Sequence, residues 1–176
     1  VAPLAAASLL LSGCATISDG LDAINPFSSS VPKMTPLQPI KPTADVRMAW
    51  SVSVAKAGDY TFTPAVVGDA VYAASAKGTL SRIEDGKTVW KIDVGQALSA
   101  GVGASAKLVV VGTAKGDVLA FSADDGKALW KARVSSEVLA APVVGDDGVA
   151  VKSGDNQVFL LDAGDGGRKW AYQRAT

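Results

Sequence analysis

Along residues 47–176 the chain alternates short apolar runs with short polar turns, and no stretch carries the i, i+3, i+4 periodicity of an amphipathic helix. Runs four to seven residues long, rich in Val, Ala and Leu and bounded by Gly, Asp and Ser, predict β-strands. Two sets are clear. Leu98 to Val102, Lys107 to Val111, Val118 to Phe121 and Ala128 to Val134 form one; Ala141 to Val144, Val149 to Val151, Val158 to Leu161 and Lys169 to Tyr172 form the other. Thr63 to Val67 opens an earlier set, and proline at the head of a strand, as at Pro64 and Pro142, is tolerated because no ladder donor is needed there.

These sets repeat. Trp50, Trp90, Trp130 and Trp170 are spaced by 40 residues, and Asp85-Gly86, Asp125-Gly126 and Asp165-Gly166 each precede a tryptophan by the same interval. An Asp-Gly pair between apolar runs predicts a hairpin turn, because glycine accepts positive φ without steric cost. Four short strands per 40 residues predict an all-β architecture, a β-propeller of four-stranded antiparallel blades. The blades fall at about 61–94, 97–134 and 137–174, with an orphan outer strand over 47–54. Faces of successive blades would pack together, so the central strands are apolar on both sides and small residues such as Ala73, Ala74 and Ala120 fit where the sheets crowd. The tryptophans and the turn glycines Gly86, Gly126 and Gly166 are then structural, each Trp filling a gap between blades. Propellers close with at least about four blades. Three blades therefore predict two open sheet faces, and self-association of residues 15–176.

Upstream the pattern changes. Residues 1–13 are apolar or small and end at Cys14, the sole cysteine, a run too short to span a bilayer and suited to the core of a secretory signal. No Lys or Arg precedes Cys14, whereas a signal begins with a positive segment, so further residues are expected before Val1. Over 14–46 hydrophobic periodicity is lost, and five of the eight prolines fall between Pro26 and Pro42 beside Ser28, Ser29 and Ser30. That composition predicts a disordered tether reaching roughly 30 Å as a coil and about 100 Å if extended.

Composition narrows the chemistry. The 17 basic and 17 acidic residues cancel, which leaves no electrostatic footprint for nucleic acid. Histidine is absent, which removes the commonest general base, every Ser/His/Asp or Cys/His arrangement and every imidazole metal site. One cysteine cannot close a disulfide within the chain. The acids Glu84, Asp124, Asp125, Asp162 and Asp165 fall at hairpin turns, where short polar side chains satisfy backbone donors, and lack the spacing of a calcium loop. Gly101-Val-Gly103-Ala-Ser-Ala106 fits a relaxed dinucleotide fingerprint, but a strand follows instead of a helix, so these glycines are expected to be structural, in a bend between two blade strands. Lys77, Lys115, Lys127 and Lys131 are separated along the repeats and are expected on solvated rims.

Three motifs carry resemblances. Leu11-Ser12-Gly13-Cys14 resembles the lipobox of bacterial lipoproteins, which implies that the Cys14 thiol takes a diacylglycerol and that Cys14 becomes the acylated N-terminus. Ala15 in place of aspartate implies the outer membrane. The run from Ala120 to Trp130, with Gly126 seventh, resembles the tryptophan-docking motif of propellers related to pyrroloquinoline quinone dehydrogenases. Together with the tether, including Lys33-Met34-Thr35-Pro36-Leu37, and the strand opening at Ala49-Trp50-Ser51, the whole chain is similar to the BamB family of β-propeller lipoproteins.

That resemblance implies an eight-bladed, non-catalytic ring without a cofactor or metal. It also implies anchoring to the outer membrane facing the periplasm, docking on the insertase BamA and its complex, and assistance to nascent outer-membrane proteins. About three blades of the eight are then present, five more Trp-marked repeats are expected downstream, and the family's main insertase-binding loop lies beyond Thr176. Partner contacts are expected on loops joining successive blades, at residues not identified. The alternative is a quinoprotein dehydrogenase, whose calcium ligands, acidic base and vicinal cysteines have no counterpart in Cys14 or the turn acids.

Overall fold

A computed structural model describes residues 36, 37, 39–41 and 43–173. Cys14, the signal over 1–13 and most of the tether lie outside the described residues. Contacts divide the chain into Val1–Asp45 and Val46–Thr176. The described residues of the first unit are exposed and belong to no strand.

The second unit carries twelve strands in three four-stranded antiparallel sheets, each in simple up-and-down order. Blade 1 comprises β1 (Ala65–Val67), β2 (Ala70–Ala74), β3 (Thr79–Glu84) and β4 (Lys87–Asp93). Blade 2 comprises β5 (Ala100–Ala104), β6 (Leu108–Gly112), β7 (Asp117–Ser122) and β8 (Ala128–Arg133). Blade 3 comprises β9 (Val143–Val144), β10 (Gly148–Lys152), β11 (Gln157–Asp162) and β12 (Arg168–Gln173). These are consecutive β-propeller blades. Pro64 and Pro142 stand just ahead of β1 and β9.

The orphan strand expected at 47–54 joins none of the sheets. A strand needs a neighbour for its ladder, and no described segment pairs with it. The alternation survives only as burial, with Val52 and Val54 half-buried between exposed Ser51, Ser53 and Ala55.

The core consists of two layers of side chains, one in each gap between blades. Val109, Val111, Leu119 and Phe121 of blade 2 meet Tyr72, Ala74 and Leu80 of blade 1. Their chain neighbours Leu108, Val110, Val118 and Ala120 meet Val149, Val151, Phe159 and Leu161 of blade 3. Side chains alternate across a strand, so a strand with a blade on each side must be apolar throughout. β6 is accordingly LVVVG and fully buried.

Gly101 and Gly103 lie within β5 and not in a bend between strands. β5 bulges between Ala100 and Gly103, and the released backbone pairs with blade 1: Thr63 N donates to Gly101 O at 3.0 Å and Val102 N to Thr63 O at 2.8 Å. A Cβ on Gly103 would overlap the Pro142 carbonyl of blade 3, and one on Gly112 would lie 2.5 Å from Val138 Cγ1. Backbone approach between blades is what these glycines allow.

Candidate functional site

The outer strands β4 and β8 present their tryptophans across the gap to the next blade. Trp90 on β4 lies against the β7–β8 turn, and its indole Nε1 donates to Ala123 O at 3.0 Å. Trp130 on β8 repeats the contact one blade on, with Nε1 donating to Ala163 O at 2.9 Å. The glycine of each turn lies under the ring. A Cβ on Gly126 would stand 3.1 Å from Trp90 Cε3, on Gly166 2.6 Å from Trp130 Cε3, and on Gly86 2.9 Å from Trp50 Cβ. All three glycines also hold φ between +72° and +75°. Trp170 is 48% exposed, and no described turn glycine lies against it. Trp50, Trp90 and Trp130 each meet the glycine 36 residues ahead, although the sequence repeat sets every glycine beside its own tryptophan.

The turns differ in build. In blade 1 Asp85 (φ 47°) and Gly86 (φ 73°) form a two-residue hairpin, Asp85 being a non-glycine residue with positive φ. Blades 2 and 3 use five-residue loops, 123–127 and 163–167, in which Gly126 N donates to Ser122 O at 2.9 Å and Gly166 N to Asp162 O at 3.0 Å.

The turn acids are engaged locally. Asp125 Oδ1 accepts from Lys127 N at 3.2 Å, and Oδ2 pairs with Lys127 Nζ at 2.6 Å. The Lys127 ammonium, with the Ser122 hydroxyl and the Lys127 amide, holds the Asp125 carboxyl down to about 2. Asp162 accepts from Gly164 N at 2.8 Å and pairs with Lys169, which together lower its pKa. Asp165 accepts from Gly167 N at 2.7 Å. Glu84 takes the Arg82 guanidinium, and Asp124 lies 3.8 Å from the same group. Among the described residues no three of His, Cys, Asp and Glu converge as metal ligands.

At the opposite end of the strands lies a platform that the motifs did not reveal. The β2–β3, β6–β7 and β10–β11 turns begin at Ser75, Thr113 and Ser153, all buried. In each, the first residue's N–H bonds the fifth carbonyl and its own carbonyl accepts from the fourth N–H, at 2.9 to 3.2 Å. The fourth position has positive φ, filled by Gly78, Gly116 and Asn156. Connections between blades lie on these turns: Val94 N bonds Gly78 O, Val134 N bonds Gly116 O, and Val138 N bonds Thr113 O. Ser99 Oγ donates to Val138 O at 2.6 Å, joining one connection to the next. Ala97, Ala114, Lys115 and Ser135 are exposed there. A signal was present in the aligned tetrads Ser75-Ala-Lys-Gly78, Thr113-Ala-Lys-Gly116 and Ser153-Gly-Asp-Asn156.

Lys131 is exposed, as expected for a solvated rim, and from there also caps a buried carboxylate. Its Nζ lies 2.9 Å from Asp117 Oδ2, and Arg133 Nη1 lies 3.5 Å from Oδ1 of the same buried carboxylate.

Comparison with known proteins follows the same lines. A family profile described as outer membrane protein assembly factor BamB matches residues 76–176. The chain is similar to outer membrane protein assembly factor BamB of Burkholderia pseudomallei, 42% identical over 122 residues that cover 68% of this chain and 29% of the relative. It is 36% identical to the protein of that name from Bordetella pertussis, over 64% of this chain and 28% of the relative. The chain thus spans under a third of the length of these curated relatives. Among solved structures it is similar to BamB from Moraxella catarrhalis, with TM-score 0.63, 28% identity, and coverage of 71% of this chain and 38% of that one. A quinohemoprotein alcohol dehydrogenase from Pseudomonas putida shares the fold at TM-score 0.60 and 22% identity, over 72% of this chain and 22% of that one.

Proposed function

Since the chain belongs to the family of outer membrane protein assembly factor BamB, we propose that it serves as a non-catalytic scaffold in outer-membrane protein assembly. In this reading Cys14 carries a lipid that anchors the chain to the outer membrane, and residues 14–46 tether blades that face the periplasm. The blades dock on the insertase BamA and assist nascent outer-membrane proteins, and Trp50, Trp90, Trp130 and Trp170 with Gly86, Gly126 and Gly166 hold the blades together.

The observation that carries this reading is the platform of stacked turns and connections. Buried hydroxyls and backbone hydrogen bonds order it, with Ser135 and Asp155 adding contacts to Ser153, while the exposed Ala97, Ala114 and Lys115 side chains take no part. Such a surface presents loops on a rigid scaffold, the arrangement suited to macromolecular recognition. The connections 94–99 and 134–142, with Ala114 and Lys115 of the β6–β7 turn beside them, are the partner surface in this proposal. The dehydrogenase alternative needs acids free to ligate calcium and accept a proton, whereas the turn acids here are taken up by backbone amides and neighbouring cations.

Affinity purification of the full chain from detergent-solubilised membranes tests the proposal. Recovery of BamA with the parent protein, and its loss on Ala97→Arg with Ala114→Arg, is the expected result. Recovery of bound pyrroloquinoline quinone without BamA would overturn it. Metabolic labelling with radioactive palmitate should mark the parent and not Cys14→Ser.

A further inference from the structure

The two gaps between blades are related by the repeat, yet they are filled differently at the end carrying the β3–β4, β7–β8 and β11–β12 turns. Between blades 1 and 2, Arg82 Nη1 donates to Ala123 O at 2.9 Å, Arg82 Nε donates to Glu84 at 2.9 Å, and Asp124 stands 3.8 Å away. Tyr72 lies beneath the guanidinium at 5.9 Å, and its hydroxyl donates to the same Ala123 carbonyl at 3.4 Å. Side chains thus plug that gap. Arg82 pairs with Trp90 and Tyr72, and the positions matching it in blade 2 are Ala120, paired with Trp130 and Val110. Ser122 likewise replaces Glu84, and Gly164 replaces Asp124. Three plug residues become small in the second gap.

An open groove of about 540 Å3 lies at this end of the second gap, lined among others by Lys107, Leu108, Leu129, Asp146, Asp147 and Gly164, the last at the place Asp124 holds in the first gap. That volume falls within the roughly 300–1,000 Å3 of ligand clefts. Its floor is apolar, and Leu129 remains 53% exposed. On one wall the β9–β10 turn carries Asp146 and Asp147. Lys169 Nζ holds this turn by donating to Asp147 O at 2.6 Å, while neither carboxylate has an ion-pair partner among the described residues. Lys107 stands exposed on the other wall. The groove therefore offers a fixed acidic wall, an apolar floor and a basic wall.

We propose that this groove between blades 2 and 3 is a docking site for an extended polypeptide segment presenting a basic, an apolar and an acidic side chain at alternate positions. Side chains at i, i+2 and i+4 of an extended chain share one face. The basic group then meets Asp146 and Asp147, the apolar group covers Leu108 and Leu129, and the acid meets Lys107. The inference rests on the groove alone and stands whether or not the chain binds an insertase.

The probe is a fluorescein-labelled, amidated peptide of sequence Arg-Val-Leu-Val-Glu, titrated with the full chain and followed by anisotropy at low and high salt. Saturable binding that weakens with salt is expected. Asp146→Asn with Asp147→Asn should weaken it about three- to tenfold, the size of two part-exposed ion pairs, and Leu129→Lys should remove it. A second arm leaves the protein unaltered: the peptide with Gln in place of both Arg and Glu should bind more weakly by a similar factor. Equal affinity of the two peptides, unchanged affinity of the double Asn variant at an unchanged melting temperature, or no saturable binding would overturn the proposal.

Discussion

Substituting alanine at turn glycines separates two costs that the docking geometry combines. Gly68, Gly126 and Gly166 all have positive φ, at 58°, 72° and 75°. Placing a Cβ in that region costs roughly 1–2 kcal/mol from the backbone clash alone. Space beyond the backbone differs. At Gly68 nothing lies within 4 Å of the added Cβ, at Gly126 the nearest atom is Trp90 Cε3 at 3.1 Å, and at Gly166 it is Trp130 Cε3 at 2.6 Å. Gly68→Ala therefore bears the backbone cost only. Gly126→Ala adds a shift of a few tenths of an ångström in the Trp90 ring. Gly166→Ala must displace the Trp130 ring and strain its bond to Ala163 O, adding an overpacking cost of about 1–3 kcal/mol. The expected order of destabilisation is Gly68→Ala, then Gly126→Ala, then Gly166→Ala, the last totalling about 2–5 kcal/mol. Urea unfolding of the full chain, followed by circular dichroism at constant slope, reads these differences as midpoint shifts. Equal losses at the three sites would refute the claim that the tryptophans rest on the glycines, leaving φ as the only cost.

Removing the indole N–H distinguishes the two docked tryptophans: both Trp→Phe changes lose packing in a gap, but Trp130→Phe also leaves Ala163 O without its side-chain donor whereas Trp90→Phe leaves Ala123 O with Arg82 and Tyr72, so Trp130→Phe should cost about 1 kcal/mol more in urea midpoint measurements. Lys131→Met with Arg133→Met strands the buried Asp117 carboxylate and should destabilise by about 3 kcal/mol, with a loss near zero counting against the pairing. The Asp125 carboxyl should titrate at about 2 by carbon NMR and rise toward the ordinary aspartate value in Lys127→Met, because the Lys127 ammonium is the largest cause of the depression. Its folded value lies below the unfolded one, so its contribution to stability is present above the ordinary aspartate pKa and is lost as pH falls through about 2.

Much of this fold was legible in residue order because its determinants are local. Strand period, turn glycines and the 40-residue interval of Trp50, Trp90, Trp130 and Trp170 are properties of short segments, and they recover three blades, the all-β class and the family. The two-sided apolar character of β6 and β7 likewise announced a neighbour on each face. Position 47–54 escaped this logic, since strand propensity becomes a strand only where a ladder partner stands beside it. Contacts across blades escaped it as well. That Trp90 rests on Gly126, that Gly103 must clear the Pro142 carbonyl, and that Lys131 reaches Asp117 depend on how sheets face one another. The platform turns were present in sequence but concealed, because Ser and Thr at the first position share a hydroxyl, and Gly and Asn at the fourth share tolerance of positive φ, without sharing identity. Only the packed blades decided that Arg82 fills one gap while the next one holds an open groove beside Leu129 and Gly164, since the volume of a gap is set jointly by two sheets and no single segment encodes it.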